Sequence, residues 1–217
     1  MQGLNSVVAI VAAYLVGSLS FAVIVSRVMG LSDPRSYGSK NPGATNVLRS
    51  GNKVAALLTL AFDALKGYVP VFLALLWQQR FEFSDMTVAL VGLAAFLGHL
   101  WPVFFRFQGG KGVATAAGVL LALQPVLGLA TVLTWAIVAG FFRYSSLASI
   151  VAAAFAPFFQ LLMWGAQPAL AAIVPMSLLL VWRHAGNIRK LFAGTESRLG
   201  QKPASAPPPR PKHKGHH

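Results

Sequence analysis

The chain has 217 residues, with 18 Lys and Arg against 5 Asp and Glu, and a formal net charge of +13 at pH 7. It is 56% hydrophobic and only 11% charged, whereas soluble domains are about 25% charged. This composition argues against a nucleic-acid-binding protein and favours one membrane-embedded domain. The absence of cysteine excludes disulfides, thiolate metal ligands and a cysteine nucleophile.

Seven apolar segments are candidate transmembrane helices, because about 20 apolar residues cross a bilayer as a helix. The run from 112 to 142 is too long for one span, and Gln124-Pro125 near its middle predicts a break. We therefore expect an all-α integral membrane protein with seven transmembrane helices in one domain, residues 1–200. The predicted spans are 5–26, 54–77, 86–105, 112–123, 126–142, 147–164 and 168–183.

The basic residues alternate between the connections of these spans. Sixteen of the 18 Lys and Arg fall in every second connection, counting the C-terminal segment, and one falls in the others. Positive charge marks the cytoplasmic side. The pattern predicts that the N-terminus lies outside and the C-terminus in the cytoplasm, which requires an odd number of spans. Residues 201–217 are rich in Pro, Lys and His and are predicted to be a disordered tail.

The segment from Gly38 to Arg49 is a polar loop on the predicted cytoplasmic side. Its glycines and proline predict a turn whose amide groups point at one ligand. The hydroxyls, carboxamides and two cations suit an anion, especially a phosphate. The alternative is a loop that only caps a helix. The candidate ligand-binding side chains are Ser39, Lys40, Asn41, Thr45, Asn46 and Arg49.

A second candidate site is a glycine cluster around Lys111, where a helix is predicted to begin. Backbone amides at a helix N-terminus bind oxyanions, and the lysine adds a charge. Nucleotide hydrolysis is not indicated, because Phe105 stands where a Walker A loop has its first glycine. The predicted phosphate-binding residues are Gly109, Gly110, Lys111 and Gly112.

Two further polar segments on this face contain Ser145 with Ser146, and His184 with Asn187. On a continuing helix His184 and Asn187 share one face. A single histidine is often structural, but these neighbours favour an active role. Glu196 is better suited to anchoring a basic residue of its loop than to acting as a base.

Asp63 and Lys66 lie inside the second predicted span, where charge is costly and is usually paired or functional. Their spacing of three residues permits a local ion pair. We expect a structural pair rather than a substrate contact. His99 and Arg106 are further candidates for a cytoplasmic pocket.

The ordered set of motifs resembles the PlsY family of bacterial acyl-phosphate-dependent glycerol-3-phosphate acyltransferases, over about residues 5–200. Lys40 stands where that family often has Gly, and Gln108 stands where it often has Lys. The resemblance is carried by Gly17–Ala22, Gly38–Arg49, Asp63-x-x-Lys66-Gly67, Gly98-His99 with Pro102–Phe104, Gly109–Thr115, Ser145–Ser149 and Arg183-His184-x-x-Asn187-Ile188.

The resemblance implies an enzyme of the bacterial inner membrane whose active site faces the cytoplasm. It would transfer a fatty acyl group from acyl phosphate to the 1-hydroxyl of sn-glycerol 3-phosphate, giving lysophosphatidic acid and phosphate. It implies no cofactor and no metal. The expected partners are membrane lipid and the soluble enzyme PlsX, as source of the donor and candidate contact.

By the same resemblance, His184, Asn187 and Ser39 are expected to be catalytic. A substrate phosphate can itself take the hydroxyl proton while His184 and Asn187 orient the reactants, and the sequence leaves the proton acceptor open. The residues expected to bind substrate phosphate are Arg49, Lys111, Gly109, Gly110, Gly112, Asn41, Thr45, Ser145 and Ser146.

A small membrane transporter of phosphorylated metabolites is the main alternative. Transporter sites lie near the bilayer midplane with access from both faces. Here the polar motifs crowd one predicted face, which favours an enzyme.

Overall fold

The computed structural model describes residues 2–200, and the predicted tail, 201–217, lies outside them. The described part is all-helical, with one short 3-10 helix at Val103–Phe105 and no strand. Its α-helices are α1 (Gln2–Gly17), α2 (Phe21–Val28), α3 (Ala44–Leu48), α4 (Lys53–Leu76), α5 (Gln78–Phe81), α6 (Asp85–Leu100), α7 (Val113–Leu123), α8 (Pro125–Phe142), α9 (Ser145–Trp164), α10 (Leu170–Arg183) and α11 (Ala185–Phe192).

Among the described residues, four helical segments are long and apolar enough to cross a membrane, and a fifth is formed if the bent pair α1–α2 counts as one span. The four are Lys53–Leu76, Asp85–Phe105, Pro125–Phe142 and Ser145–Trp164. The other two predicted spans correspond to the shorter apolar helices α7 and α10. Length and composition therefore support four or five of the seven predicted spans.

The predicted break in the long apolar run is confirmed. Gln124 adopts an extended conformation (φ −147°, ψ 95°) between α7 and α8. Pro125 begins α8, where its missing N–H leaves no helical hydrogen bond unmade. Gln124 alone therefore separates the two helices.

The first predicted span, 5–26, is two helices that meet at an angle of 44°. At the bend, the carbonyl oxygen of Leu19 accepts a hydrogen bond of 2.7 Å from Lys66 Nζ. The same ammonium pairs with Asp63 Oδ1 at 2.8 Å, and both charged side chains are buried. The local pair predicted from the spacing of Asp63 and Lys66 is confirmed, and it also satisfies a carbonyl that the bend releases.

Helices α4 and α7 approach closely because glycine stands where they cross. A Cβ atom on Gly67 would lie 2.2 Å from the carbonyl oxygen of Thr115, and one on Gly118 would lie 1.9 Å from that of Ala64. Small residues allow this backbone contact between membrane helices. The crossing fixes the start of α7, where the glycine loop lies, against α4.

Large apolar side chains cover the outer surface of the bundle. Such a surface is unsuited to water and fits the hydrocarbon region of a bilayer. Exposed examples are Leu4, Val7, Leu57, Leu65, Ile137, Phe141, Phe158, Leu162 and Leu178.

Candidate active site

Four chain segments far apart in sequence meet at one end of the bundle. They are the 38–49 loop, the glycine loop before α7, the start of α9, and the segment from His184 to Gly200. Their side chains form three hydrogen-bonded sets, which we together call the polar cluster. These are Thr45 with Ser145, Arg49 with Ser197, and Lys111, Asn187, Glu196 and Ser146.

Asn46 organises the 38–49 loop. It is buried, and its Nδ2 donates to the carbonyl oxygens of Pro34 at 2.6 Å and Tyr37 at 3.2 Å. Its Oδ1 accepts from the Ser39 amide at 3.0 Å and from Arg49 Nη1 at 3.3 Å. The Asn46 carboxamide is thus used to fold the loop and to hold Arg49.

The predicted residues of this loop are placed unequally. Thr45 Oγ1 lies 3.4 Å from Ser145 Oγ, and Arg49 Nη2 donates to Ser197 Oγ at 2.7 Å. The side chains of Ser39 and Asn41 form no hydrogen bond with other groups in residues 2–200. Ser39 is exposed, and its backbone N–H donates a hydrogen bond to Asn46 Oδ1, the same oxygen that accepts from Arg49.

The glycine loop packs so tightly that only glycine fits. A Cβ atom on Gly110 would lie 2.3 Å from His99 Nε2, and one on Gly109 would lie 2.2 Å from the His99 carbonyl oxygen. Gly112 has a φ of +85°, and its Cβ atom would lie 2.2 Å from the Phe96 ring. Close packing on α6 is therefore the physical reason for glycine at these three positions.

One expectation for this loop is wrong. The Gly110 amide does not face a ligand, since it donates to the His99 carbonyl at 3.1 Å. The Gly110 carbonyl accepts from Arg183. Gly110 therefore shapes the loop, and the amides left for an anion are those beside it and in the first turn of α7, which have no helical acceptor.

Lys111 connects the glycine loop to α11. Its ammonium donates to Asn187 Oδ1, and Asn187 Nδ2 donates to Glu196 Oε1 at 2.6 Å. Burial lowers the Lys111 pKa to about 8; the Glu196 carboxylate raises it, and Arg183, among other cations, lowers it further. Lys111 is thus mostly charged at neutral pH.

Glu196 has partners that the sequence did not suggest. Its Oε1 accepts hydrogen bonds from Ser146 Oγ at 2.7 Å and from Asn187, so it joins α9 to α11. These hydrogen bonds differ from the predicted anchoring of a basic residue in its own loop. In the sequence, the only feature that could have pointed to this role is that Glu196 is one of only 5 acidic residues among 18 Lys and Arg.

His184 lies at the junction of α10 and α11, with φ −94° and ψ 5°, so the continuous helix assumed for His184 and Asn187 is interrupted. The ring is buried, and burial, with the Lys111 charge, lowers its pKa to about 4. His184 is therefore neutral at pH 7. Its Nδ1 lies 2.8 Å from the Leu180 carbonyl, which can only accept, so Nδ1 carries the proton and Nε2 retains a lone pair.

Two other candidates lie outside the cluster. His99 packs against the glycine loop, with Nδ1 3.6 Å from Asp63 Oδ1, and Arg106 is exposed. An open pocket of about 380 Å³ adjoins the cluster. It is lined by Arg143, Tyr144, Gly194, Glu196 and Arg198.

Known proteins resemble this chain over most of its length. Residues 7–194 match the family described as glycerol-3-phosphate acyltransferase. The chain is 67% identical over 197 residues to the glycerol-3-phosphate acyltransferase of Burkholderia cenocepacia, covering 89% of this chain and 91% of that protein. It is 66% identical over 196 residues to that of Burkholderia multivorans, with coverages of 89% and 91%.

The fold is also similar to a solved structure of PlsY (YgiH), an integral membrane glycerol 3-phosphate acyltransferase, in its glycerol 3-phosphate form. The TM-score is 0.84 at 38% identity, covering 90% of this chain and 96% of that one. The lysophosphatidic acid form of PlsY gives 0.82 at 37% identity. None of these likenesses supports a transporter. Since sequence and fold agree across nearly all the described residues, the chain belongs to the glycerol-3-phosphate acyltransferase family and is a multi-pass membrane acyltransferase.

Proposed function

We propose that this acyltransferase takes a fatty acyl group from an acyl phosphate and transfers it to the 1-hydroxyl of sn-glycerol 3-phosphate. The products are lysophosphatidic acid and inorganic phosphate. The observation that carries the proposal is the polar cluster, which brings two cations and several neutral hydrogen-bond donors together in a chain that has no cysteine. An acyl phosphate is already activated, so positioning and charge are sufficient.

The cluster is arranged to accept an anion. Ser146 and Asn187 both donate to the Glu196 carboxylate, and Lys111 donates to Asn187. Phosphate oxygens are acceptors of the same kind as carboxylate oxygens. We assign the substrate phosphates to Lys111, Arg49 and the hydroxyls of Thr45, Ser145 and Ser146. The remaining amides of Gly109, Lys111 and Gly112 complete the site.

In the proposed reaction the glycerol 1-oxygen attacks the acyl carbon. The bond from that carbon to the phosphate oxygen breaks, and inorganic phosphate leaves with the electron pair. His184, with a pKa of about 4, is a weaker base than a phosphate group, whose second pKa is about 6. The hydroxyl proton therefore goes to a substrate phosphate oxygen, while His184 Nε2 accepts a hydrogen bond and, with Asn187 and Ser39, orients the reactants.

We further propose seven spans, with the N-terminus outside and the cluster facing the cytoplasm from a bacterial inner membrane. The charge distribution supports this orientation. With 11 residues in α7, a helix rises about 16 Å, against a hydrocarbon core of about 30 Å. For α7 to span, the glycine loop must lie below the membrane surface, where an acyl chain reaches it laterally from lipid. The donor is supplied by the soluble enzyme PlsX.

A donor comparison tests the reaction. Purified protein in lipid nanodiscs receives labelled glycerol 3-phosphate with either palmitoyl phosphate or palmitoyl-CoA. We expect labelled lysophosphatidic acid from the acyl phosphate alone. Product from palmitoyl-CoA alone would refute the proposed donor. Uptake of labelled glycerol 3-phosphate by proteoliposomes, without acylation, would instead support the alternative function of a transporter.

Because the chain has no cysteine, single substitutions test the topology directly. Ser50→Cys and Gln167→Cys place one thiol in a predicted cytoplasmic loop and one in a predicted outer turn. A membrane-impermeant maleimide should label Gln167→Cys in spheroplasts and Ser50→Cys only in inverted vesicles. The reverse result would overturn the orientation.

A further inference from the structure

The glycine loop is held from behind by the last residue of α10. Arg183 Nη2 donates to the carbonyl oxygens of Gly109 at 2.8 Å and Gly110 at 3.0 Å, and Arg183 Nε donates to that of Gly110 at 3.1 Å. From the opposite direction the His99 carbonyl accepts from the Gly110 amide at 3.1 Å. Two successive peptide groups are thereby fixed by partners from α10 and α6.

This clamp sets the direction of the next amide. In a trans peptide the C=O and N–H groups point in opposite directions, and the described residues contain no cis peptide. The Gly110 carbonyl shares its peptide group with the Lys111 N–H. Because that carbonyl points at the Arg183 guanidinium, the Lys111 N–H points away from it.

The clamp also removes repulsion. Carbonyl oxygens carry partial negative charge, and two of them facing an anion would oppose its binding. Arg183 turns both toward a cation, and of the two N–H groups in these peptides the Gly110 N–H is bound by His99, so the Lys111 N–H is the one left for an anion. Asn187, which follows Arg183 on α11, also contacts Lys111 by accepting a hydrogen bond from its ammonium group.

We propose that Arg183 is a positioning residue for phosphate binding, which fastens the Gly109 and Gly110 carbonyls so that Lys111 and the free loop amides face the substrate phosphate. This rests on the proposed role of the glycine loop as a phosphate site. Arg183 acts through the loop. A lysine keeps the charge, but as a point donor it does not reproduce the guanidinium fork across two carbonyls.

The test compares Arg183→Lys and Arg183→Gln with Arg189→Gln. Arg189 is an exposed arginine on α11, so its variant removes the same charge without touching the loop. We expect the KM for glycerol 3-phosphate and the inhibition constant of inorganic phosphate to rise about 10- to 100-fold in Arg183→Gln, the loss typical of charge-assisted hydrogen bonds. Arg183→Lys should recover only part of the lost affinity, and Arg189→Gln should have the same constants as the wild type.

Hydrogen–deuterium exchange supplies a readout that needs no turnover. Peptides that cover the glycine loop should exchange faster in both Arg183 variants, while those from α4 and α9 should not change. The proposal would be overturned if the folded Arg183 variants kept the wild-type KM, the wild-type affinity for phosphate and the wild-type rate of deuterium exchange in the glycine loop. So would a loss confined to the yield of folded protein, because the remaining enzyme would then be normal.

The two proposals fail separately. If the wild type does not use acyl phosphate, the proposed reaction is wrong, and phosphate affinity together with loop exchange still decides the role of Arg183. If Arg183→Gln does not fold, Arg183→Lys gives the decision by the same measurements.

Discussion

Ser146 Oγ donates a 2.7 Å hydrogen bond to Glu196 Oε1, which joins the start of α9 to a segment 50 residues further along the chain. The carboxylate also accepts from Asn187 and lies close enough to Lys111 to raise the lysine pKa. An acidic side chain therefore lies among the groups assigned to phosphate, where it joins Ser146 to Asn187 and raises the Lys111 pKa against the effect of burial.

Glu196→Gln should separate these two effects. The amide oxygen of glutamine can accept the hydrogen bonds from Ser146 and Asn187, but the charge that raises the Lys111 pKa is lost. We expect the thermal midpoint to stay near the wild type and the alkaline fall of kcat/KM to begin at lower pH. Glu196→Ala, which also removes both hydrogen bonds, should unfold at lower temperature. An alkaline limb at unchanged pH in Glu196→Gln would contradict this account.

The alkaline limb itself should belong to Lys111. With a pKa near 8 in the free protein, Lys111 loses its charge as the pH rises through that value, and kcat/KM reports groups of the free enzyme. Substrate phosphates, with a second pKa of about 6, stay dianionic there. Lys111→Arg keeps its charge far above this range, so its residual activity should not fall between about pH 7 and pH 10. An identical fall in Lys111→Arg would assign the limb to another group.

Removing either cation of the cluster should impair turnover severely. Lys111→Ala and Arg49→Ala should each lower kcat/KM by about 100-fold, the effect of losing one charge-stabilising donor in a preorganised site. The exposed Lys53→Ala, at the start of α4, is the matched control and should retain full activity. Acylation assays paired with thermal unfolding make the measurement. Wild-type turnover by both folded variants would remove Lys111 and Arg49 from the site.

His184 should be neutral throughout the working range, because its pKa is held near 4. His184→Ala should lower kcat by about 10- to 100-fold through lost orientation of the hydroxyl. His184→Asn retains a hydrogen-bonding side chain and should recover part of that loss. Wild-type kcat in His184→Ala would refute the assignment.

The same histidine predicts a pH dependence of stability. Its folded pKa of about 4 lies below the ordinary 6.5, so between these values the unfolded state binds the extra proton, and stability falls as the pH drops. Below the folded pKa the effect is complete. In a pH series of thermal midpoints, His184→Asn should lack this part of the acid destabilisation. An identical acid dependence in the variant would show that His184 titrates normally.

Much of the fold could be predicted from local sequence, since membrane helices are defined by apolar length and by the residues that interrupt them. Gln124-Pro125 marked its break correctly, and Asp63 and Lys66 formed the pair that their spacing allows. The bend between α1 and α2 was missed. The Leu19 carbonyl at this bend is satisfied by Lys66, which lies 47 residues away in the sequence.

By itself the sequence determined the chemistry of the site: glycines around Lys111, hydroxyls, few acids and a histidine at the end of α10. Residue types and their spacing can be read directly from the sequence. Only the tertiary structure decided which hydrogen-bonding groups are bound within the protein and which remain available to a ligand. Gly110 gives its amide to His99, Asn46 gives its carboxamide to the 38–49 loop, and Arg183 turns the loop carbonyls away. Each outcome depends on partners from distant segments, because a buried donor or acceptor takes whichever partner the packed helices bring to it.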